Sequence, residues 1–151
     1  MLLAELKPQL MIELINRQRA RRISAKVWRE FAEQALRTIR TNEQAVSIVF
    51  VSDQMIKKLN RQFRGKDFAT DVLSFRNHAE RFESQNDRTL GEIVISVDRA
   101  AAQAKENGLS FSNEVEQLIL HGLLHLCGYD HETDHGEMNR LELKLRKKLR
   151  I

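Results

Sequence analysis

The run His121-Gly-Leu-Leu-His-Leu-Cys-Gly-Tyr-Asp-His131 places three imidazoles at spacings that suit one metal ion. His121 and His125 are four residues apart, about 40° around an α-helix, so both rings leave one face a single turn apart. Gly128 can adopt the left-handed conformation that ends a helix, which allows the chain to bring His131 back. Three neutral imidazoles and one water form the open tetrahedral arrangement of catalytic zinc. The run therefore predicts one zinc ion per chain, held by His121, His125 and His131.

The same spacing occurs in the zinc-peptidase pattern H-E-x-x-H-x-x-G-x-x-H, with one chemical difference. In those peptidases the Glu after the first His is the general base. Here that position is Gly122, so a metal site is retained while the peptidase proton acceptor is missing. A phosphodiester reaction tolerates this change better, because a metal ion can itself activate water and polarise a phosphoryl oxygen. The alternative to metal binding is that the three histidines serve packing or solvation.

Length and composition predict an ordinary globular protein. A chain of 151 residues, 42% hydrophobic and 30% charged, can bury a single core, so we expect one domain over residues 1–151. The single cysteine, Cys127, excludes an internal disulfide framework and is typical of a reducing cytosol. Charged residues interrupt the apolar N-terminal segment, and no stretch of about 18 apolar residues occurs. We therefore expect a cytoplasmic protein without a membrane-spanning segment.

Apolar periodicity and turn residues divide the chain into alternating elements. Four strands are predicted, of which 45–51 is the clearest because it is β-branched and nearly all apolar. The polar segment 77–89 shows no apolar periodicity and is predicted to be a loop. The other strands are predicted at 10–15, 72–75 and 90–95.

Five helices are predicted from apolar spacing and capping residues. Ser112 is predicted to cap the helix that carries the histidines, and Asp134 with Glu137 forms a capping-box pair for the last helix. The earlier helices are predicted over 25–40, from Ser52 or Asp53 to Gly65, and from Ser96 to Gly108. The order of elements favours an α+β fold, with a small mixed four-stranded sheet flanked by helices and the metal site between the last two helices.

Three segments of the chain resemble the YbeY family of bacterial metal-dependent endoribonucleases. One is the histidine run 121–131. The second is Leu59-Asn60-x-x-Phe63-Arg64-Gly65-Lys66-Asp67, which continues into Thr70-Asp71-Val72-Leu73-Ser74-Phe75, and the third is Leu90-Gly-Glu-Ile-Val-Ile95. Their order and spacing match the family over about residues 45–145. One departure is Arg76, which stands where the family usually has a proline.

The resemblance implies a zincin-like α+β fold and a zinc ion on the three histidines. It also implies hydrolytic cleavage of single-stranded RNA, with roles in 3′-end maturation of 16S ribosomal RNA and in ribosome quality control. The expected partners are ribosomal RNA and the small ribosomal subunit, whereas no oligomeric state is implied. The family's arginine falls on Arg64, which the resemblance assigns to catalysis or RNA binding.

Three further candidates each have a structural alternative. Arg64 could contact phosphate in a bidentate manner, or it could bond the last carbonyls of its helix. Asp71 could be a base near the metal, or a residue at the start of a strand that bonds its own backbone. Asp130 could orient a ligand imidazole from outside the metal shell, or it could form a turn. The residues alone leave these alternatives open.

The net charge of +4 permits a polyanionic partner. Because the chain contains one Trp and one Tyr, RNA contact is expected to depend on backbone charge more than on base stacking. Two other functions remain open from the residues. One is a metallopeptidase-like hydrolase, and the other is a non-catalytic ribosome-assembly factor whose metal is structural.

Overall fold

The computed structural model describes residues 11–39, 45–76 and 89–151. These residues form four strands and five helices, which confirms the α+β prediction. The strands are β1 (Met11–Asn16), β2 (Ala45–Val51), β3 (Val72–Arg76) and β4 (Thr89–Ser96). The helices are α1 (Ala25–Ile39), α2 (Asp53–Arg64), α3 (Val97–Glu106), α4 (Phe111–Leu126) and α5 (Glu137–Leu149).

The strands form one mixed sheet in the order β1-β2-β4-β3. β1 and β4 both pair with β2 in parallel, whereas β3 pairs with β4 in antiparallel fashion. Because β3 is an edge strand, one row of its backbone groups is left for partners outside the sheet. One such partner is a side chain from the end of α2, described below.

The predicted strands and the first three helices are confirmed to within two residues at the ends that the structure describes. Ser52 and Ser96 accept hydrogen bonds from the backbone N–H groups of Met55 and Arg99, and Gly65 ends α2 with φ of 70°. Three predictions extend outside the described residues: Leu10 in the first strand, Arg40 in the first helix, and the polar loop except for its last residue.

Two capping predictions were wrong. α4 is capped by Ser110, whose Oγ accepts from the N–H of Asn113, because Ser112 already lies inside the helix. The N-cap of α5 is Gly136, with φ of 96°. Asp134 still accepts from backbone N–H groups at the start of α5, and Glu137 accepts from the N–H of His135, so the pair forms no capping box.

Helix α4 lies at the centre of the fold because two of its faces are buried. One face packs against the sheet in the large core, where Ile119 and Leu123 contact the side that carries Ile93 and Ile95. Another face packs against α5, and there Leu120 and Leu124 meet Met138 and Leu145. The second face of the sheet is covered by α2 in a smaller cluster. Polar side chains of α4 are thereby confined to a narrow stripe.

No helix among the described residues is long and apolar enough to cross a membrane.

Candidate metal centre

The polar stripe of α4 contains the first two histidines of the candidate site. His121 and His125 lie one helical turn apart, as predicted from their spacing. Their ring centroids are 4.7 Å apart, and the two Nε2 atoms are separated by 3.1 Å. The rings therefore present nitrogen atoms to one common point.

The end of α4 returns the third histidine to that point. Gly128 has φ of 100°, a conformation open to glycine at little cost, and the following Tyr129 N–H donates to the carbonyl of Leu124 at 3.1 Å. His131 follows, with its ring centroid 5.5 Å from that of His121 and 5.3 Å from that of His125. The predicted role of Gly128 in reversing the chain is confirmed.

The three imidazoles fit a single metal ion. One nitrogen from each of His121, His125 and His131 can be chosen so that all three lie within 4.8 Å of one another. Zinc–nitrogen bonds of about 2.1 Å at tetrahedral angles separate ligand nitrogens by about 3.4 Å. The 3.1 Å between the Nε2 atoms of α4 is close to that value. A set made only of imidazoles also matches the donors that zinc prefers.

A glutamate on α5, which the sequence reasoning missed, holds His121 from the opposite side. Oε1 of Glu142 lies 2.6 Å from Nδ1 of His121, and Oε2 accepts from Nη2 of Arg146 at 2.5 Å. An anionic carboxylate at this distance requires Nδ1 to carry the proton, so Nε2 of His121 is left with its lone pair toward the cluster. Glu142 therefore selects the tautomer that a metal ligand needs.

The electrostatics of Glu142 agree with this arrangement. Burial alone would raise the pKa of the Glu142 carboxyl. The hydrogen bond from His121, the attraction to the His121 ring whenever that ring is protonated, and the positive charge of Arg146 outweigh burial, so the pKa of Glu142 lies below its usual value. The carboxylate therefore stays ionised and available as an acceptor at neutral pH.

His125 is held in its neutral form. Burial is the largest cause that lowers its pKa, and the charges of His121 and His131 lower it further. A hydrogen bond to the backbone of Tyr129 and the negative charge of Asp130 partly oppose this shift. Because only a neutral imidazole has a lone pair for a metal, the lowered pKa of His125 keeps this ligand ready at neutral pH.

The histidines open onto a groove of about 450 Å³ with both basic and acidic side chains in its walls. Arg64, at the end of α2, reaches the β3 edge, where its Nη2 donates to the carbonyl of Ser74 at 2.7 Å. Its guanidinium lies 5.0 Å from the ring centroid of Phe75. Arg64 therefore bonds the strand edge. The other charged residues that line the groove are Lys66, Arg76, Asp71, Asp130 and Glu132.

Asp71 also lines the groove, but its described hydrogen bonds favour the structural alternative. Oδ1 accepts from the N–H of Val72 at 2.8 Å and from the hydroxyl of Thr70 at 3.2 Å. With the amide of Gln103 oriented so that its nitrogen faces the two carboxylates, it donates to Oδ2 of Asp71 at 2.9 Å and to Oε1 of Glu114 at 3.0 Å. These bonds hold Asp71 at the start of β3, and its role as a base remains a prediction.

Asp130, and two potential ligands close to the histidines in the sequence, His135 and Cys127, are placed as follows. Oδ1 of Asp130 accepts from the N–H of Glu132, and its carbonyl accepts from Thr133 and Asp134, which is the predicted turn. Among the described residues, neither His135 nor Cys127 belongs to the group whose ligand atoms converge with the three histidines. Cys127 packs instead against the large core.

Gly122 lies where helix α4 packs closely against the sheet. A Cβ built at this position would lie 3.0 Å from two carbon atoms of Ile93. The residue after His121 therefore faces packed apolar side chains, where a carboxylate could not be accommodated without desolvation. This geometry explains why the peptidase glutamate is absent from the chain.

Comparison with known proteins gives a consistent result. The family model described as "Endoribonuclease YbeY" matches residues 13–150. A relative of that name from Nautilia profundicola is 50% identical over 106 residues, which cover 70% of this chain and 73% of the relative. Another from Geobacter metallireducens is 38% identical over 136 residues, 89% of this chain and 91% of the relative. The chain is also similar to a Thermotoga maritima protein of known solution structure, with 28% sequence identity and a TM-score of 0.62. The match covers 92% of this chain and 89% of the Thermotoga chain.

Proposed function

Because the chain belongs to the YbeY family of endoribonucleases, we propose that it is a zinc-dependent endoribonuclease that cleaves single-stranded RNA during 3′-end maturation of 16S ribosomal RNA and in ribosome quality control. As a member of this family it is a hydrolase that cleaves RNA phosphodiester bonds. Family membership favours this activity over a peptidase and over a non-catalytic assembly factor. We further propose that it acts in the cytoplasm on the small ribosomal subunit.

The observation that carries the proposal is the convergence of three imidazole nitrogens on one point of an open groove. His121, His125 and His131 would hold the zinc ion, and Glu142 would fix the orientation of His121 through its 2.6 Å contact. Bound there, zinc supplies Lewis acidity toward a phosphodiester oxygen and toward water. The cluster contains no described carboxylate or thiolate ligand, so three protein donors leave a position open for substrate or solvent.

Arg64 would bind a phosphate of the substrate in the same groove. A guanidinium has five N–H donors in a planar fork, so Arg64 can keep its bond to Ser74 and still contact a phosphate. The bond to Ser74 and the packing near Phe75 restrict the side chain, which lowers the entropy lost when substrate binds. Arg64 would therefore hold the edge of β3 in place and stabilise negative charge on the reacting phosphate.

The proposal is tested by measuring zinc content and cleavage of single-stranded RNA on the same preparations. The proteins are the wild type, His125→Ala, Arg64→Ala and the control Arg37→Ala, whose arginine lies on α1 away from the groove. We expect His125→Ala to lose zinc and activity together, Arg64→Ala to keep zinc and lose activity, and Arg37→Ala to match the wild type. Equal cleavage by all four proteins would identify a contaminating nuclease and refute the proposal.

A further inference from the structure

Two aromatic side chains stand out because they are exposed, whereas the other Phe and Trp side chains of the described residues are buried or partly buried. Phe68 is 55% exposed and Tyr129 is 36% exposed. Among the described residues they are the two aromatics in the exposed class, and both line the groove that contains the three histidines. Exposed aromatic side chains in one concave site are typical of a ligand contact.

The backbone at each of these aromatics is held in place by the rest of the fold. Nδ2 of Asn60, a residue only 2% exposed, donates to the carbonyl of Phe68 at 2.9 Å. The N–H of Tyr129 donates to the carbonyl of Leu124 at the end of α4. Both rings therefore line the groove from backbone positions that are already fixed. Little conformational entropy is lost when a ligand packs against them.

The charged side chains that share the groove with the rings indicate which ligand fits. The groove walls also contain the carboxylates of Asp71, Asp130 and Glu132, but Arg64, Lys66 and Arg76 provide three cations that can contact a phosphate backbone. Arg76 lies on the face of β3 that points toward α4, with its Nη2 3.5 Å from the position of a Cβ on Gly128. Flat apolar rings together with cations match an unpaired nucleotide strand, in which every base has a free face and every linkage is anionic. In a duplex the base faces are already stacked on their neighbours.

We propose that Phe68 and Tyr129 stack on unpaired nucleobases of RNA bound in the groove, and that this stacking determines the preference for single strands. The inference rests on the proposed function and deepens it by naming the part of the substrate that is recognised. It changes the expectation drawn from composition, which favoured contact through backbone charge over base stacking. The bases are recognised by their faces, so the stacking carries little sequence preference.

The test measures binding in stopped-flow experiments, before cleavage proceeds. The zinc-loaded full chain is mixed with a short single-stranded RNA that contains 2-aminopurine, whose fluorescence falls when it stacks on an aromatic ring. The variants are Phe68→Leu and Tyr129→Leu, with Phe68→Trp and Tyr129→Phe as conservative partners. Leu143→Ala serves as the control, because Leu143 is 54% exposed on α5 outside the groove.

We expect each leucine variant to bind the RNA about tenfold more weakly and to lose much of the quenching. The conservative variants and Leu143→Ala should bind as the wild type does. An abasic nucleotide at the stacked position should weaken binding to the wild type by a similar factor and have little further effect on the leucine variant. The ratio of single-stranded to duplex RNA bound should also fall in the leucine variants.

The inference is overturned if both leucine variants bind, quench and discriminate against duplex as the wild type does. It is also overturned if an abasic nucleotide weakens the wild type and the leucine variants equally. The proposed function fails separately, when the zinc-loaded wild type does not cut RNA that it binds. The two results are therefore distinguishable in the same set of preparations.

Discussion

Replacing Glu142 by Gln should weaken zinc binding although residue 142 never touches the metal. The side chain of Glu142 is 9% exposed and lies between His121 and Arg146. Glutamine has nearly the same shape, and its carbonyl oxygen can still accept from Nδ1 of His121. Its amide NH₂ group then faces the guanidinium of Arg146, so two hydrogen-bond donors are in contact. The negative charge that favours the His121 tautomer with its proton on Nδ1 is also lost.

The magnitude follows from the two contacts. A hydrogen bond to a charged group contributes about 1.5–3 kcal/mol. The Glu142 side chain is 9% exposed, whereas those of His121 and Arg146 are 30% and 31% exposed, so solvent screens the two contacts only in part. With 1.4 kcal/mol for each tenfold change, the loss corresponds to a zinc affinity about 10- to 100-fold lower. The same range is typical of residues that orient metal-bound histidines from outside the metal shell.

Zinc affinity is measured by competition with a chromophoric chelator, and the unfolding of the metal-free protein is measured alongside it. Glu106→Gln on α3 is the matched control, because it removes the same charge from an exposed residue that lies outside both the groove and the core. A zinc affinity of Glu142→Gln within twofold of both the wild type and this control would refute the orienting role of Glu142.

Three other changes probe the packing and electrostatics around the site. Gly91→Ala should lower the free energy of unfolding by about 4 kcal/mol in denaturant titrations, because φ is 148° and its Cβ would lie 2.2 Å from the carbonyl oxygen of Phe75. Gly122→Glu should lower it by about 3–5 kcal/mol and give no peptide hydrolysis, since the carboxylate would be buried against Ile93. Because the pKa of His125 is lowered on folding, the unfolded chain takes up its proton first, so the stability of the metal-free protein should fall as the pH drops below about 6.5. Chemical unfolding at several pH values should show a weaker pH dependence in His125→Gln, and an unchanged dependence would contradict this explanation.

The parts of the site that could be predicted from the sequence are those set by local geometry. The spacing of His121 and His125 fixes their common face through the helical period alone. Gly128 follows from the need for a left-handed residue at the end of α4. The strand at 45–51 was equally clear, because a β-branched apolar run of that length is typical of a strand covered on both faces.

The parts that could not be predicted depend on how distant elements pack. Glu142 lies 21 residues from His121, and its role appears only when α5 is placed beside α4. A buried glutamate on the apolar face that contains Met138 and Leu145 was a signal in the sequence, since such a residue requires a partner. Nothing local to Phe68 indicated its exposure, which follows from the path of the chain between α2 and β3. Ser110 caps α4 in place of the predicted Ser112, because the helix begins at Phe111, two residues before the predicted start.

The most direct test of the metal centre is X-ray diffraction from crystals of the zinc-loaded protein, with data collected on both sides of the zinc absorption edge. We expect one anomalous peak per chain, about 2.1 Å from one nitrogen each of His121, His125 and His131, with no fourth protein ligand. A peak located elsewhere, side chains that point apart, or a protein atom that fills the fourth position would contradict the account.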